Sequence, residues 1–391
     1  MTQDLFRAAV SIPLALCIAA AAVASGCGPK VVVVNYLGTP ALAPGTRPEM
    51  NTPGFWVDRC PDADAVIMTE DDIAAFNAET RLRTRAVTDV AGLSPRRNGS
   101  SVKDSLARMA SSIALRNYVD ASGTSAAKMI ADLESYMSLD AISKTVEVTW
   151  ALVTRSCDQR LLPTAEPLFK NVTDTAIDRL QNNTLDPGTA VAVLHRTRDG
   201  VWSYVIGPYS EGWVKTEFLA ECPRDVIQRY LAWEPFVVVI SAKADLFADP
   251  LQRVHLQSVQ MGTRLPLLGP AGEDAVEVLL PVRTDGGACV FDAACVAASQ
   301  VHRGYLAYTP RNALVQAFRL LHSPYGWGGM YSEQDCSRLI QEVFATFGIV
   351  MPRNSSQQAK TGTPIASFKG AAESARGDEA LMLQKQRLRE R

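Results

Sequence analysis

Histidine is scarce in this chain of 391 residues, which contains four: His195, His255, His302 and His322. No CxxC pair and no Cys/His spacing typical of a metal site occurs, and no Gly-rich loop of the phosphate-binding kind is present. The formal net charge is −2, and basic residues do not cluster with aromatic ones. We therefore expect no metal, no other cofactor and no nucleic-acid partner.

Long hydrophobic runs are also missing, except at the N-terminus. Residues 12–23 are apolar, which is shorter than the roughly 20 residues that a membrane-spanning helix needs. The run ends in Val-Ala-Ser-Gly-Cys27, which resembles the lipobox of bacterial lipoproteins, where the cysteine is lipidated after signal cleavage. Ordinary cleavage that leaves Cys27 free is the alternative. Gly28 after the cysteine resembles a signal for outer-membrane sorting, so we expect residues 1–27 to be a signal peptide and the protein to be exported and lipid-anchored in the cell envelope, on its periplasmic side.

Export to an oxidising compartment makes disulfides possible. With Cys17 in the signal peptide, Cys27 as lipid carrier and Cys336 set aside, five cysteines are left: Cys60, Cys157, Cys222, Cys289 and Cys295. Five is an odd number, so at least one of them stays unpaired. Two pairings suggest themselves from their positions, Cys289 with Cys295 and Cys157 with Cys222, but the sequence does not fix either.

Cys336 has the most informative surroundings of any residue in the chain. It follows the loop YGWGG (325–329) and begins an amphipathic run in which apolar residues recur at helical spacing: Leu339, Ile340, Val343, Phe344 and Phe347. Asp335 directly precedes this run, where its side chain can cap free backbone N–H groups. The positive end of a helix favours a thiolate in its first turn. The pattern is typical of a nucleophilic cysteine, although a buried structural thiol is the commoner fate of an isolated cysteine.

The loop YGWGG, the triplet DCS (335–337) and the segment MPRNSSQQ (351–358) together resemble the NlpC/P60 family of cell-wall cysteine peptidases, over residues 312–365. The resemblance implies a papain-like α+β catalytic domain in which Cys336 is the nucleophile. It also implies that Asp335 and Ser337 bind the free amine of a peptide stem, that Tyr325 stands near the nucleophile and that Trp327 lines the cleft. Asp335 and Ser337 as simple helix caps, and Trp327 as a packing residue, are the alternatives.

The family also uses a histidine base on a strand that follows the nucleophile. All four histidines of this chain precede Cys336, and His322 does not match the family position. Residues 366–391 resemble a charged, helix-prone tail rather than the family's sheet, so we expect a C-terminally truncated catalytic domain. Loss of general-base help costs on the order of 100- to 10,000-fold in rate. Three alternatives follow: an impaired endopeptidase for γ-D-glutamyl-diamino acid bonds of peptidoglycan, a protein that binds muropeptides without cleaving them, or a non-functional gene product.

The remaining sequence predicts several domains, because the mature chain exceeds what one core usually holds. After a linker at 28–47, residues 48–150 are expected to be helical, with helices near 71–82, 102–114 and 125–137. Short alternating strands follow, with a hairpin at 189–206, and resemble a bacterial SH3-like barrel at 155–234. A second set at 235–310, with strands at 236–240, 264–268, 275–281 and 304–308 and an insertion at 285–299, resembles another. The truncated catalytic domain takes 311–391.

The predicted fold class is therefore multidomain α+β, with a helical segment, two SH3-like barrels and a partial papain-like domain. As in the YkfC-like branch of the family, the first barrel is expected to help close the cleft. The aromatic residues of that barrel either line a binding groove or fill its core, and the core is favoured: Trp202, Tyr204, Tyr209 and Trp213. The expected partners are peptidoglycan stem peptides or muropeptides and, through the lipid anchor, a membrane.

Overall fold

The computed structural model describes residues 45–363. The predicted signal peptide, Cys27, most of the linker and the C-terminal tail lie outside these residues. Within residues 45–363, no helix is long and apolar enough to cross a membrane. Of these, residues 49–363 belong to one compact unit.

The first part of this unit is helical, and the three predicted helices are confirmed in place. The helices are α1 (Pro53–Val57), α2 (Glu70–Thr84), α3 (Gly99–Ala114) and α4 (Ala127–Tyr136). A capping box formed by Thr69 and Asp72 begins α2, and the Asn98 side chain caps α3. Leu106 and Ile130 bury the apolar faces of α3 and α4 in a core shared with the sheet that follows.

That sheet is the first barrel, and a two-stranded ladder of β1 (Arg96–Asn98) and β2 (Thr145–Glu147) precedes it. The strands of the barrel are β3 (Thr149–Val153), β4 (Cys157–Arg160), β5 (Gln181–Leu185), β6 (Ala190–Arg196), β7 (Trp202–Ile206), β8 (Glu211–Lys215) and β9 (Leu219–Glu221). They are antiparallel and have the order β5-β4-β8-β7-β6-β3-β9. Strand β3 pairs with β6 and β9, so it belongs to the barrel although it lies at the edge of the range predicted as helical.

Three of the four aromatic residues named for the first barrel pack in the core that the barrel shares with the helical segment, rather than inside the barrel itself, where the favoured alternative placed them. Trp213 and Tyr204 are fully buried and Trp202 nearly so, whereas Tyr209 is half-buried. His195 lies beside Trp213, and its Nε2 is 2.7 Å from the Met137 carbonyl oxygen. These rings join the barrel to the helical segment.

A second seven-stranded antiparallel sheet follows helix α5 (Arg224–Leu231) and encloses its own apolar core. Its strand order is β12-β11-β15-β14-β13-β10-β16. The strands are β10 (Phe236–Val239), β11 (Lys243–Phe247), β12 (His255–Gln260), β13 (Arg264–Pro270), β14 (Ala275–Arg283), β15 (Cys289–Ala297) and β16 (Val301–Arg303).

Two predictions for this second sheet were wrong. The segment 285–299 is not an insertion, because β15 within it pairs with β14 along its whole length, from Ala275 with Ala297 to Arg283 with Cys289. The many small residues of β15 do not alternate clearly between apolar and polar, which is the pattern that predicts a strand. Residues 304–308 form no strand, and the sheet ends with β16.

The last part contains α6 (Pro310–Arg319), α7 (Cys336–Ala345) and α8 (Ser355–Gln358). Phe347 and Val343 pack with Ile73 and Phe76 of α2 in a common core. Asn77 in α2 donates to the Gly348 carbonyl oxygen and accepts from the Val350 N–H, both at 2.8 Å. The shared core and these two hydrogen bonds attach the N-terminal helical segment to the segment that contains Cys336.

Neither of the two suggested disulfides forms, and the six described cysteines are free. Cys289 and Cys295 lie on one extended strand, where six residues span about 20 Å, far beyond the reach of a disulfide. Cys157 is buried inside the first barrel, whereas Cys222 belongs to the core between that barrel and the helices. Among residues 45–363, no group of three or more His, Cys, Asp or Glu could hold a metal ion.

Candidate active site

The loop before α7 is a short irregular turn, Trp327–Ser332, held against strand β5 of the first barrel. Gly328 and Gly329 adopt φ values of 64° and 87°, in the left-handed region that favours glycine. A Cβ atom on Gly329 would lie 2.6 Å from Thr184 Oγ1, and one on Gly328 would lie 2.7 Å from Gln181 Cγ. Thr184 Oγ1 also donates to the Gly329 carbonyl oxygen at 2.8 Å. The glycines therefore allow the loop to approach the barrel closely.

Cys336 is the first residue of α7 and is exposed, unlike the other described cysteines, which are buried or half-buried. Asp335 is the N-cap, and its Oδ1 accepts from the backbone N–H groups of Ser337 (3.2 Å) and Arg338 (2.8 Å). The predicted helix start is thus confirmed. The thiol therefore lies at the solvent-exposed N-terminus of this helix.

The Asp335 carboxylate also accepts hydrogen bonds from two residues outside α7, Gly328 and Arg353. Its Oδ2 accepts from the Gly328 N–H (3.1 Å) and from Arg353 Nη2 (2.6 Å), and its Oδ1 accepts from Arg353 Nη1 (3.0 Å). Burial alone raises the pKa of Asp335, but the hydrogen bonds and charge of Arg353 outweigh burial and hold that pKa below its usual range. Asp335 is 8% exposed. Both oxygens are thus occupied, so the geometry favours the capping role over the binding of a substrate amine.

Ser337 is part of the same cluster. Its Oγ donates to Asp335 Oδ1 at 3.0 Å and accepts from Arg353 Nη1 at 2.9 Å. Arg353 is 3% exposed, and its Nε donates to Asn183 Oδ1 of the first barrel at 2.7 Å. The side chains of Asp335, Ser337 and Arg353 therefore form a buried network next to Cys336, and the role of Ser337 in substrate binding stays a prediction.

Tyr325 begins the loop that precedes Cys336, and its place next to a nucleophile stays a prediction. Its backbone bridges to Gln334, and its side chain is 61% exposed. Partial burial, together with the negative charge of Asp335, raises the pKa of Tyr325. The backbone bridge to Gln334 thus brings Tyr325 close to the start of α7.

Trp327 faces the first barrel rather than open solvent. It is half-buried, and the guanidinium carbon of Arg179 lies 5.7 Å from its ring centroid, within the range of a cation–π contact. This contact attaches the loop to the barrel, which fits the packing alternative for Trp327.

One residue that the sequence analysis missed is Arg338, which is 3% exposed. It donates to Glu342 Oε1 (2.6 Å), to Asp186 Oδ2 (2.8 Å) and to the Thr184 carbonyl oxygen (2.8 Å). Burial opposes its charge, but the two carboxylates outweigh burial and raise the pKa of Arg338; burial raises the pKa of Glu342 to about 7. The i,i+4 spacing of Arg338 and Glu342 was visible in the sequence. Exposed ion pairs on helix surfaces have the same spacing, so the sequence did not show that this pair is buried.

No histidine lies at this site within the described residues. His195 is bonded to Met137, His255 contacts Asp245, and His302 bonds to Gly304, all outside the loop and helix described above. His322 is an exposed residue just after α6 with a φ of 70°. The site brings together Cys336, Tyr325 and the Asp335 cluster, but it supplies no imidazole to the thiol.

Two segments of the chain match models of known protein families. Residues 322–386 match the NlpC/P60 family, and residues 167–215 match the SH3 domain of the SH3b1 type. No curated protein matches the chain significantly.

Two solved structures are similar to the chain. One is a novel NlpC/P60 endopeptidase from Photobacterium damselae subsp. piscicida, with 21% identity, a TM-score of 0.61, and coverage of 76% of this chain and 67% of that one. The other is an NlpC/P60 family protein from Bacillus cereus ATCC 10987, with 19% identity, a TM-score of 0.42, and coverage of 56% and 79%. The first shows that the fold is shared. The chain thus contains a segment similar to SH3 domains of the SH3b1 type, followed by a segment similar to the NlpC/P60 family.

Proposed function

We propose that this protein is an endopeptidase for the stem peptides of peptidoglycan, with Cys336 as its nucleophile. The observation that carries the proposal is the exposed thiol at the N-terminus of α7, next to a buried Asp335–Arg353 ion pair. The NlpC/P60 family consists of peptidases, and the similar Photobacterium protein is named an endopeptidase. These findings support cell-wall peptidase chemistry, and the bond and residues named here are the proposal.

In the proposed reaction, the Cys336 thiolate attacks the carbonyl carbon of a γ-D-glutamyl-diamino acid bond. A thioester forms, the C–N bond breaks, and the amine of the diamino acid leaves after it takes up a proton. Water then cleaves the thioester and regenerates the thiol. Cys336 lies at the N-terminus of α7, where the helix dipole favours negative charge.

We further propose that turnover is slow. No imidazole contacts Cys336 within residues 45–363, so neither the deprotonation of the thiol nor the protonation of the leaving amine has histidine assistance there. A missing general base lowers rates by about 100- to 10,000-fold. Free imidazole in the buffer is expected to restore part of the rate, because the thiol is open to solvent.

The test is incubation of the full-length protein with L-Ala-γ-D-Glu-diaminopimelate, with and without imidazole, followed by mass spectrometry. The proposal predicts release of the L-Ala-γ-D-Glu dipeptide, more of it with imidazole, and none from Cys336→Ala. Cys60→Ala is the matched control, since it removes a half-buried cysteine far along the chain. Cleavage that persists in Cys336→Ala would refute the role of this cysteine.

A second candidate function is binding of muropeptides without cleavage. The missing imidazole favours it. If dipeptide release is absent under every condition while isothermal titration calorimetry shows binding of the same muropeptide, the binding function replaces the enzymatic one. Absence of both release and binding would exclude stem peptides as ligands.

We also propose that Cys27 carries a lipid anchor in the bacterial cell envelope, on the strength of the lipobox-like sequence alone. Labelling of growing cells with an alkyne fatty acid should mark the protein, and Cys27→Ala should abolish the label. Export without labelling would favour ordinary signal cleavage.

A further inference from the structure

Two cysteines from different barrels lie next to each other. Strand β9 is the last strand of the first barrel, and Cys222 follows it directly. Cys289 is the first residue of β15 in the second barrel. Glu221 and Ala288 form a parallel bridge, and the Glu221 N–H donates to the Gly287 carbonyl oxygen at 2.8 Å. Cys222 and Cys289 are therefore the next two residues in register.

This register suits a disulfide. Neighbouring strands lie about 4.8 Å apart, which is inside the Cα separations of about 4.4–6.8 Å that a disulfide allows. Residues in parallel register also point to the same face of the sheet. The two thiols affect each other's titration, since Cys289 raises the pKa of Cys222 and Cys222 lowers that of Cys289. Both side chains belong to the same apolar core.

We propose that Cys222 and Cys289 form a disulfide that joins the two barrels. In this oxidation two S–H bonds break and one S–S bond forms, with release of two protons and two electrons. The electrons pass to a disulfide oxidant, either a thiol–disulfide oxidase of the cell envelope or oxidised glutathione in vitro, which is reduced to thiols. Cys157 and Cys295 stay buried thiols, and Cys336 stays free to react.

The link has a consequence for the arrangement of the barrels. Near Cys222 the barrels already share two kinds of contact. Leu279 and Phe291 of the second barrel pack against the core of the first, and Arg283 Nε donates to the Leu219 carbonyl oxygen at 3.1 Å. The disulfide closes a loop that contains α5 and the strands β10 to β14. It therefore fixes the second barrel to the end of the first without any demand on the Cys336 site.

The test is a tryptic map of the full-length protein, oxidised with glutathione disulfide under native conditions and alkylated before digestion. Cys222 falls in peptide 216–224, whereas peptide 284–303 contains both Cys289 and Cys295. The wild type should yield these two peptides cross-linked. Cys295→Ser should keep the cross-link, whereas Cys289→Ser, its matched control on the same peptide, should lose it.

Two results would overturn the proposal. One is wild-type protein in which both peptides are found alkylated and separate after oxidation. The other is a cross-link that survives in Cys289→Ser, which would assign the bond to Cys295. Because the wild type and Cys295→Ser keep the proposed pair intact, a folding defect in Cys289→Ser cannot produce the first result.

Discussion

The buried pair of Asp335 and Arg353 allows a quantitative prediction. In Arg353→Met the side chain keeps its approximate volume but loses its charge, so the Asp335 carboxylate stays buried without its cation. Removal of one partner of a buried ion pair costs about 3–5 kcal/mol. The Asn183 and Ser337 oxygens also lose a donor. We therefore expect the free energy of unfolding to fall by at least about 3 kcal/mol.

The double variant Asp335→Asn/Arg353→Met separates charge from packing. Asparagine caps a helix about as well as aspartate, and no uncompensated charge is left. The double variant is expected to be more stable than Arg353→Met alone, within about 2 kcal/mol of the wild type. Urea unfolding followed by tryptophan fluorescence and circular dichroism measures both differences. A double variant no more stable than the single one would refute the argument.

The pH dependence of the free energy of unfolding gives an independent check on whether the Asp335–Arg353 pair stabilises the protein. Arg353 holds the pKa of Asp335 below its unfolded value of about 3.9, so this pair stabilises the protein above that pH. The contribution is lost as the pH falls through the folded pKa. In Arg353→Met burial raises the pKa of Asp335 instead, so protonation relieves the variant. Its deficit relative to the wild type should therefore shrink as the pH falls towards 4.

Three further predictions follow from the structure. Gly329→Ala should destabilise the loop, because the residue has a positive φ and its Cβ would clash with Thr184 Oγ1. The variant should also slow any dipeptide release, measured by mass spectrometry, by at least about 10-fold, since a misplaced nucleophile reacts much more slowly. Iodoacetamide should modify Cys336 before Cys157 in the native protein, because the first is exposed and the second buried; equal rates by peptide mapping would contradict this. Reduction of the proposed Cys222–Cys289 disulfide, which closes a loop of about 70 residues, should lower the free energy of unfolding by about 4 kcal/mol, and identical urea midpoints would contradict it.

The helix that begins at Cys336 was predictable because its signals are local. Asp335, Cys336 and the apolar positions that follow are close in sequence, and the glycine loop directly precedes them. The partners that hold them are distant: Arg353 reaches Asn183 across 170 residues, and Arg338 reaches Asp186 across 152. A buried arginine and an exposed one look alike in sequence.

The strand β15 and the cysteine contacts were missed for a related reason. Ala-rich β15 has no strong alternation, so only its pairing with β14 makes it a strand. The contact between Cys222 and Cys289 depends on a parallel bridge between two barrels, which no spacing in the sequence encodes. Pairings of this kind are set by tertiary structure rather than by local propensity.

The polar underside of α7 affects how the protein can be divided. Two buried arginines, Arg338 and Arg353, point from the Cys336 segment into carboxylate and carbonyl groups of the first barrel. If residues 310–363 were expressed alone, both guanidinium groups would lose barrel partners, and the glycine loop would lose the surface that it lies on. We therefore expect that the segment around Cys336 does not fold independently of the first barrel. The SH3-like barrel supplies hydrogen-bond partners that hold the Cys336 segment in place.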